Sequence, residues 1–111
     1  MVTIETTALF DRQLKALTKR YVSIADDLDE LKASLQQSPT LGTDLGNGLR
    51  KVRMAIKSKG KGKSGGARVI TSTAIISVTD TTVYLLTIYD KSDIASLNTS
   101  FLKKMKEALR L

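Results

Sequence analysis

The chain has 111 residues, enough for one hydrophobic core but too few for two, so we expect a single domain over residues 1–111. Cysteine and histidine are both absent, which excludes disulfides, thiolate nucleophiles, histidine-dependent catalytic dyads and most zinc, copper and haem sites. No apolar run approaches the roughly 18 residues of a membrane span, and residues 1–10 do not have the pattern of a signal peptide. We therefore expect a cytoplasmic protein without a metal or organic cofactor.

The net charge of +7 is concentrated in one segment. Of the 18 basic residues, eight lie between Arg50 and Arg68, a stretch without an acid, which leaves ten against the 11 acidic residues elsewhere. A segment this basic attracts polyanions, and the phosphate backbone of a nucleic acid is the usual one. Lipid headgroups, an acidic protein and a plain solvated loop are the alternatives.

The first half of the chain predicts one strand and two helices. Val2–Glu5 alternates as a short strand does, and Thr6 or Thr7 suits the N-cap of a helix that begins near Ala8. A second helix begins after Ser23, with Asp26 at the capping-box position, and ends at Ser38-Pro39. The spacing of apolar residues predicts two buried stripes. They are Phe10, Leu14, Leu17 and Tyr21 in the first helix, and Ile24, Leu28, Leu31 and Leu35 in the second.

The second half changes to the period of strands. Leu41–Gly48 contains three glycines and predicts a loop, after which Val52, Met54 and Ile56 alternate with cationic neighbours. A flexible basic loop, residues 57–66, precedes strands within 67–78 and 83–89. A last amphipathic helix is predicted around Phe101, Leu102, Met105, Ala108 and Leu109. The order β-α-α-β-β-β-α defines an α+β two-layer fold in which an N-terminal helical hairpin packs on a mostly antiparallel sheet.

The strand after the glycine-rich loop carries the most specific signal. Lys51 and Arg53 are two residues apart and project from one face, and Arg68 in the next strand returns towards them. Cations that converge in this way repel one another unless an anion binds. They suit RNA cleavage in which a ribose 2′-OH attacks the adjacent phosphate, because guanidinium groups neutralise the developing charge. Without histidine, a lysine whose proton is loosened by neighbouring cations is an available base.

One tempting nucleotide-binding motif fails. Gly62-Lys63-Ser64 is like the end of a P-loop, but Lys57 stands where that motif requires glycine. A β-rich run follows it instead of the helix that the motif also requires.

Three segments and their spacing form a recognisable pattern over nearly the whole chain. The segments are Lys51-Val-Arg53-Met-Ala, Gly66-Ala-Arg68-Val-Ile and Tyr84-Leu-Leu-Thr-Ile-Tyr-Asp-Lys91, with the basic loop between the first two. They resemble the RelE/ParE toxins of bacterial type II toxin-antitoxin modules, and in particular a RelE-like subgroup with an extended basic loop. The resemblance implies a RelE-like fold and a ribosome-dependent mRNA endoribonuclease (mRNA interferase) that arrests translation. It also implies that a cognate antitoxin inhibits the protein, that the ribosome and mRNA are partners, and that neither a membrane nor a small-molecule cofactor is involved.

The resemblance assigns roles residue by residue. Lys51 would act as base or phosphate ligand, and Arg53 replaces a second lysine but cannot readily act as a base. Arg68 would stabilise the charge of the transition state. Lys91 matches one of the basic pair that follows the last strand in RelE. The sequence departs from RelE at two points: the next position is Ser92 and not a cation, and a tyrosine that RelE carries near its last helix has no counterpart. The loop residues that look like an RNA-gripping arm are Lys57, Lys59, Lys61 and Lys63.

Some alternatives stay open. Tyr89, which alternates with Thr87 and Leu85, could stack on a base or simply pack in the sheet. A ParE-like inhibitor of DNA gyrase would share the fold but lack the nuclease cations. A non-catalytic RNA-binding module would hold phosphate without cutting it, although 5% aromatic residues are few for a stacking platform. For a nuclease we expect Arg68→Ala to reduce toxicity and cleavage greatly and to leave the fold intact, since the residue is predicted at a strand edge.

Overall fold

A computed structural model describes residues 1–93 as a five-stranded sheet with two helices. The strand order is β1-β5-β4-β3-β2; β1 runs parallel to β5 and every other pair is antiparallel. The predicted α+β class and mostly antiparallel sheet are confirmed. The elements are β1 (Val2–Thr6), α1 (Ala8–Arg20), α2 (Ile24–Gln37), β2 (Thr43–Gly46), β3 (Leu49–Met54), a 3₁₀ turn (Lys57–Lys59), β4 (Ala67–Ile75) and β5 (Thr81–Asp90).

The predicted order of elements is wrong in one place, because the glycine-rich segment 41–48 contains the extra strand β2. Asp44 Oδ1 accepts a hydrogen bond from Gly46 N at 2.7 Å, and Gly46, Asn47 and Gly48 all have positive φ angles. These conformations close a tight turn, which lets Thr43 pair with Lys51. The order over the described residues is therefore β-α-α-β-β-β-β, and the predicted C-terminal helix lies outside them.

The two helices predicted in the first half of the chain are confirmed, with one difference at a cap. Thr7 is the N-cap of α1: its Oγ1 accepts from Phe10 N at 3.0 Å and donates to Leu86 O at 2.8 Å. The capping box expected at the start of α2 does not form. Instead, Ser23 Oγ donates to Asp27 Oδ2 at 2.7 Å and accepts from Ser58 N at 2.9 Å, so the residue ties the basic loop to the helix.

The two faces of the sheet carry separate apolar clusters. The face that contacts the helices, called here the helix face, holds the main core, which includes Phe10, Leu17 and the buried stripe of α2. Leu14 and Tyr21, expected in the α1 stripe, are only partly buried against it. The opposite face holds a smaller cluster of Leu49, Ile70, Leu86 and Tyr89, with Leu45 and Tyr84 at its margin.

A bulge in β5 sets which side chains lie on each face. Ile70 pairs with Thr87 while Thr71 pairs with Leu85, so Leu86 is an extra residue. The alternation therefore changes phase: Leu85 belongs to the helix-face core, and Tyr89 belongs to the cluster on the opposite face. The period-two prediction that Tyr89 shares a face with Leu85 is wrong for this reason.

Candidate nucleic-acid interface

The register of three strands brings the predicted site residues together. Arg53 on β3 lies directly opposite Arg68 on β4, which in turn lies opposite Tyr89 on β5. Lys51 is two residues before Arg53 and pairs with Ile70, a member of the opposite-face cluster. The three cations share one face of the sheet, as the spacing predicts.

These residues line an open concavity of about 250 Å³, called here the site depression. Every residue proposed for catalysis from the sequence is part of its wall. Thr43 is the one lining residue that the sequence did not predict, because it belongs to strand β2, which lies in a segment predicted to be a loop. The lining residues are Thr43, Lys51, Arg53, Arg68, Tyr89 and Lys91.

The positive charge of the site depression is not neutralised by residues 1–93. The ion pairs among these residues engage the N-terminus, Arg20, Lys57 and Lys59, and none of them includes a cation of the depression. Lys51 is half-buried, whereas Arg53 and Lys91 are exposed. Four cations around one concavity create a strong local attraction for a phosphate group.

Arg68 is both part of the site and an anchor for the basic loop. It is only 7% exposed. Its Nη1 donates to Lys63 O at 3.0 Å and to Ala67 O at 3.1 Å, and its Nη2 donates to Ser64 O at 3.0 Å. A guanidinium has five N–H groups, so two of those of Arg68 have no partner among residues 1–93. Arg68 therefore lies in an inner strand and not at a strand edge as predicted. Its hydrogen bonds to the loop indicate a structural role, so its removal should lower the stability of the fold.

Tyr89 remains protonated at neutral pH. Burial raises the pKa of Tyr89 above its ordinary value of 10.0, and the charge of Arg68 acts in the opposite direction. Its hydroxyl can therefore donate a hydrogen bond, and it is unsuited to accept a proton as a base.

The four loop lysines fall into two pairs. Lys57 forms an ion pair with Glu30, whose hydrogen bond and charge raise the pKa of the lysine. Lys59 is 13% exposed and its Nζ lies 2.6 Å from Asp90 Oδ1. Lys61 and Lys63 are exposed and have no carboxylate partner within residues 1–93. Only the second pair is presented as an RNA-gripping arm would require.

The basic loop is folded against the body of the domain instead of extending as a free arm. Lys57 N donates to the buried carboxylate of Asp27 at 3.3 Å, which links the loop to α2. At the other end, Gly66 lies so close to the end of β3 that a Cβ atom would be 2.2 Å from Met54 O. The hydrogen bonds from Arg68 to the carbonyls of Lys63 and Ser64 add further restraints to the loop.

Asp90 is the residue that sequence reasoning missed most completely. It is fully buried at the end of β5 and accepts hydrogen bonds from the side chains of Tyr21, Arg20, Lys59 and Ser92. Burial alone would raise the pKa of Asp90, but these bonds outweigh it and hold the pKa well below 3.8. The only signal in the sequence is the presence of an acid after a strongly apolar strand.

Other kinds of site find little support in the described part of the chain. Residues 1–93 contain no group of three or more acidic side chains that could hold a metal ion. Neither helix among them is long and apolar enough to cross a bilayer. A comparison with models of known protein families found no match for this chain.

Proposed function

We propose that this protein is a RelE-like toxin of a type II toxin-antitoxin module, an mRNA endoribonuclease that acts on translating ribosomes in the cytoplasm. One observation carries the proposal: the five residues named as site candidates from the sequence all line one concavity, whose four cations have no carboxylate partner within residues 1–93. A cognate antitoxin, the ribosome and mRNA are the partners that this function requires.

The lining residues can divide the steps of phosphodiester cleavage between them. Lys51, as the base, takes the proton of the ribose 2′-OH, and the oxygen attacks the adjacent phosphorus. Arg53 and the two free N–H groups of Arg68 stabilise the charge that develops on the phosphorane oxygens. The P–O5′ bond then breaks, and the leaving oxygen receives a proton from the Tyr89 hydroxyl or the Lys91 ammonium. The products are a 2′,3′-cyclic phosphate and a 5′-hydroxyl.

A non-catalytic RNA-binding module is the second candidate. The observation in its favour is that Arg68 directs two of its N–H groups at carbonyls of the basic loop, those of Lys63 and Ser64, a role that requires no reaction. Such a module would use the same cations to hold phosphate groups, and RNA bound to it would stay intact.

The test is 5′-end mapping of cellular mRNA, with ribosome positions, after brief induction of the wild type and of a Lys51→Ala, Arg53→Ala double variant. Lys57→Ala is the matched control, since this lysine is paired with Glu30 and lies outside the site depression. We expect new ends within translated codons for the wild type and the control, and none for the double variant.

The other outcomes separate the alternatives. Growth arrest without new ends would reject the nuclease and lead to assays of gyrase supercoiling. Cuts that persist in the double variant would remove the site depression from the mechanism. An absence of both arrest and cleavage, with RNA binding retained, would favour the binding module.

A further inference from the structure

We infer that a second pocket beside the site depression binds a neighbouring phosphate of the same RNA strand, an inference that rests on the proposed function. This lysine pocket has a volume of about 200 Å³ and is lined by Lys59, Lys61, Gly65, Lys91 and Ser92. Lys91 also lines the site depression, so the two concavities meet at this residue. An RNA backbone seated in the depression can therefore pass over Lys91 into the pocket.

The charges of the pocket leave two cations for an anion. Lys59 is committed to the protein, since its Nζ lies 2.6 Å from Asp90 Oδ1 and 3.3 Å from Ser92 Oγ. Lys61 and Lys91 are exposed and bind no carboxylate within residues 1–93. An ion pair thus fixes the inner wall of the pocket, while its outer wall remains positive. A phosphodiester group is the complementary ligand.

The backbone on both sides of the pocket is held in place. Asp90 Oδ1 accepts from Ser92 N at 3.0 Å and from Ser92 Oγ at 2.8 Å, which fixes the turn after β5. On the loop side, Gly65 N donates to Lys61 O at 3.2 Å, and a Cβ atom at Gly65 would lie 2.5 Å from Lys61 Cβ. Because Gly65 has no side chain, the aliphatic part of Lys61 can pack against it and form part of the pocket wall.

The test compares two RNA lengths by NMR titration of the full chain at several salt concentrations. The probes are a dinucleotide with one phosphodiester and a tetranucleotide with three, each carrying 2′-deoxyribose at the attacked position so that it cannot be cleaved. We expect Lys61→Ala to weaken binding of the tetranucleotide several-fold and to reduce the slope of log Kd against log salt by about 0.7, the value for one lost contact with a single strand. Binding of the dinucleotide should not change.

Two matched variants frame the result. Arg53→Ala, in the site depression, should weaken both probes, and Lys57→Ala, paired with Glu30, should weaken neither. Equal affinity of the wild type and Lys61→Ala for the tetranucleotide, or an equal loss on both probes, would overturn the second subsite. If the length-dependent effect appears but cellular mRNA is not cut, the subsite stands and the nuclease proposal fails. Binding of neither probe by the wild type would overturn the second subsite, while the 5′-end mapping decides the nuclease proposal separately.

Discussion

Asp90 gathers partners from three separate parts of the chain. Lys59 comes from the basic loop, Tyr21 from the end of α1 and Ser92 from the turn after β5. The residues on either side of Asp90 are Tyr89 and Lys91, which line the site depression. One buried carboxylate therefore holds the basic loop, a helix end and two candidate site residues in fixed relation, and its charged form is the form that does so.

The pH dependence of stability follows from the lowered pKa of Asp90. A carboxyl group whose pKa is lower in the folded than in the unfolded state stabilises the fold above its ordinary pKa of 3.8, and this contribution is lost as pH falls below that value. We expect Asp90→Asn to lower the free energy of unfolding at pH 7 by about 3 kcal/mol, as for a broken buried ion pair. Urea denaturation at pH 7, 5 and 3 measures both effects. The variant should lose less stability than the wild type between pH 5 and 3, and an equal loss would contradict this account.

The two arginines of the site should differ sharply in their effect on stability. Arg68→Ala removes two hydrogen bonds from a charged donor to loop carbonyls and a third to Ala67 O in β4, and we expect it to cost about 2 kcal/mol of unfolding free energy. Arg53→Ala removes an exposed side chain and should stay within about 0.5 kcal/mol of the wild type. Chemical denaturation of the two variants side by side provides the comparison. Similar values for both would mean that Arg68 does not anchor the loop.

At the scale of elements, regular patterns were sufficient for the helices and insufficient for two features of the sheet. The stripe that includes Phe10 and Leu17 identifies α1, because burial of one helix face demands that spacing. Strand β2 could not be predicted, because its four residues include one glycine and are mostly exposed, so they show no alternation of apolar and polar side chains. The bulge at Leu86 also leaves no pattern in the sequence. Because β5 carries apolar residues on both faces, a change of phase in the alternation cannot be seen.

The basic loop depends on a glycine for its close contact with β3. A Cβ atom at Gly66 would lie 2.2 Å from Met54 O and 3.0 Å from Ala55 Cα, and backbone atoms cannot yield as a flexible side chain can. We therefore expect Gly66→Ala to destabilise the protein by about 2 kcal/mol, in the range of an overpacked site. Gly60→Asn is the control, because that position has a φ of 75° with no atom near its Cβ, and asparagine tolerates this conformation. Thermal denaturation should show a large shift for the first variant and a small one for the second.

At the scale of the whole molecule, the sheet has two chemically distinct ends. Arg68 is near the start of β4, and seven residues later, roughly 23 Å along the strand, Ile75 begins an exposed apolar hairpin tip. Ile75, Ile76 and Val78 are 76%, 66% and 105% exposed. We expect an Ile76→Thr, Val78→Thr double variant to keep both its stability and its affinity for the RNA probes, since these side chains touch neither the core nor the site. Denaturation and NMR titration test this, and weakened RNA binding would show that the site extends along the sheet.

The part of the candidate site that follows from strand alternation and hairpin geometry was predictable from the sequence. Lys51 and Arg53 share a face by spacing alone, and the hairpin geometry brings Arg68 beside them. Contacts between residues far apart in the chain could not be predicted from the sequence. The pairing of Lys59 with Asp90 joins residues 31 positions apart, and the contact depends on how the basic loop folds back over the sheet. Charge counting therefore located the basic surface but could not distinguish its structural lysines from its free ones.

The parallel pairing of β1 with β5 also imposes an order of events during synthesis. β1 is made before the other elements, yet its one neighbour in the sheet formed by residues 1–93 is β5, which ends at residue 90. The site depression likewise draws its wall from residues as far apart as Thr43 and Lys91. A nascent chain thus has neither a complete sheet nor a complete site until residue 91 has left the ribosome. If the protein cuts mRNA on ribosomes as proposed, the ribosome that makes it is spared until that point.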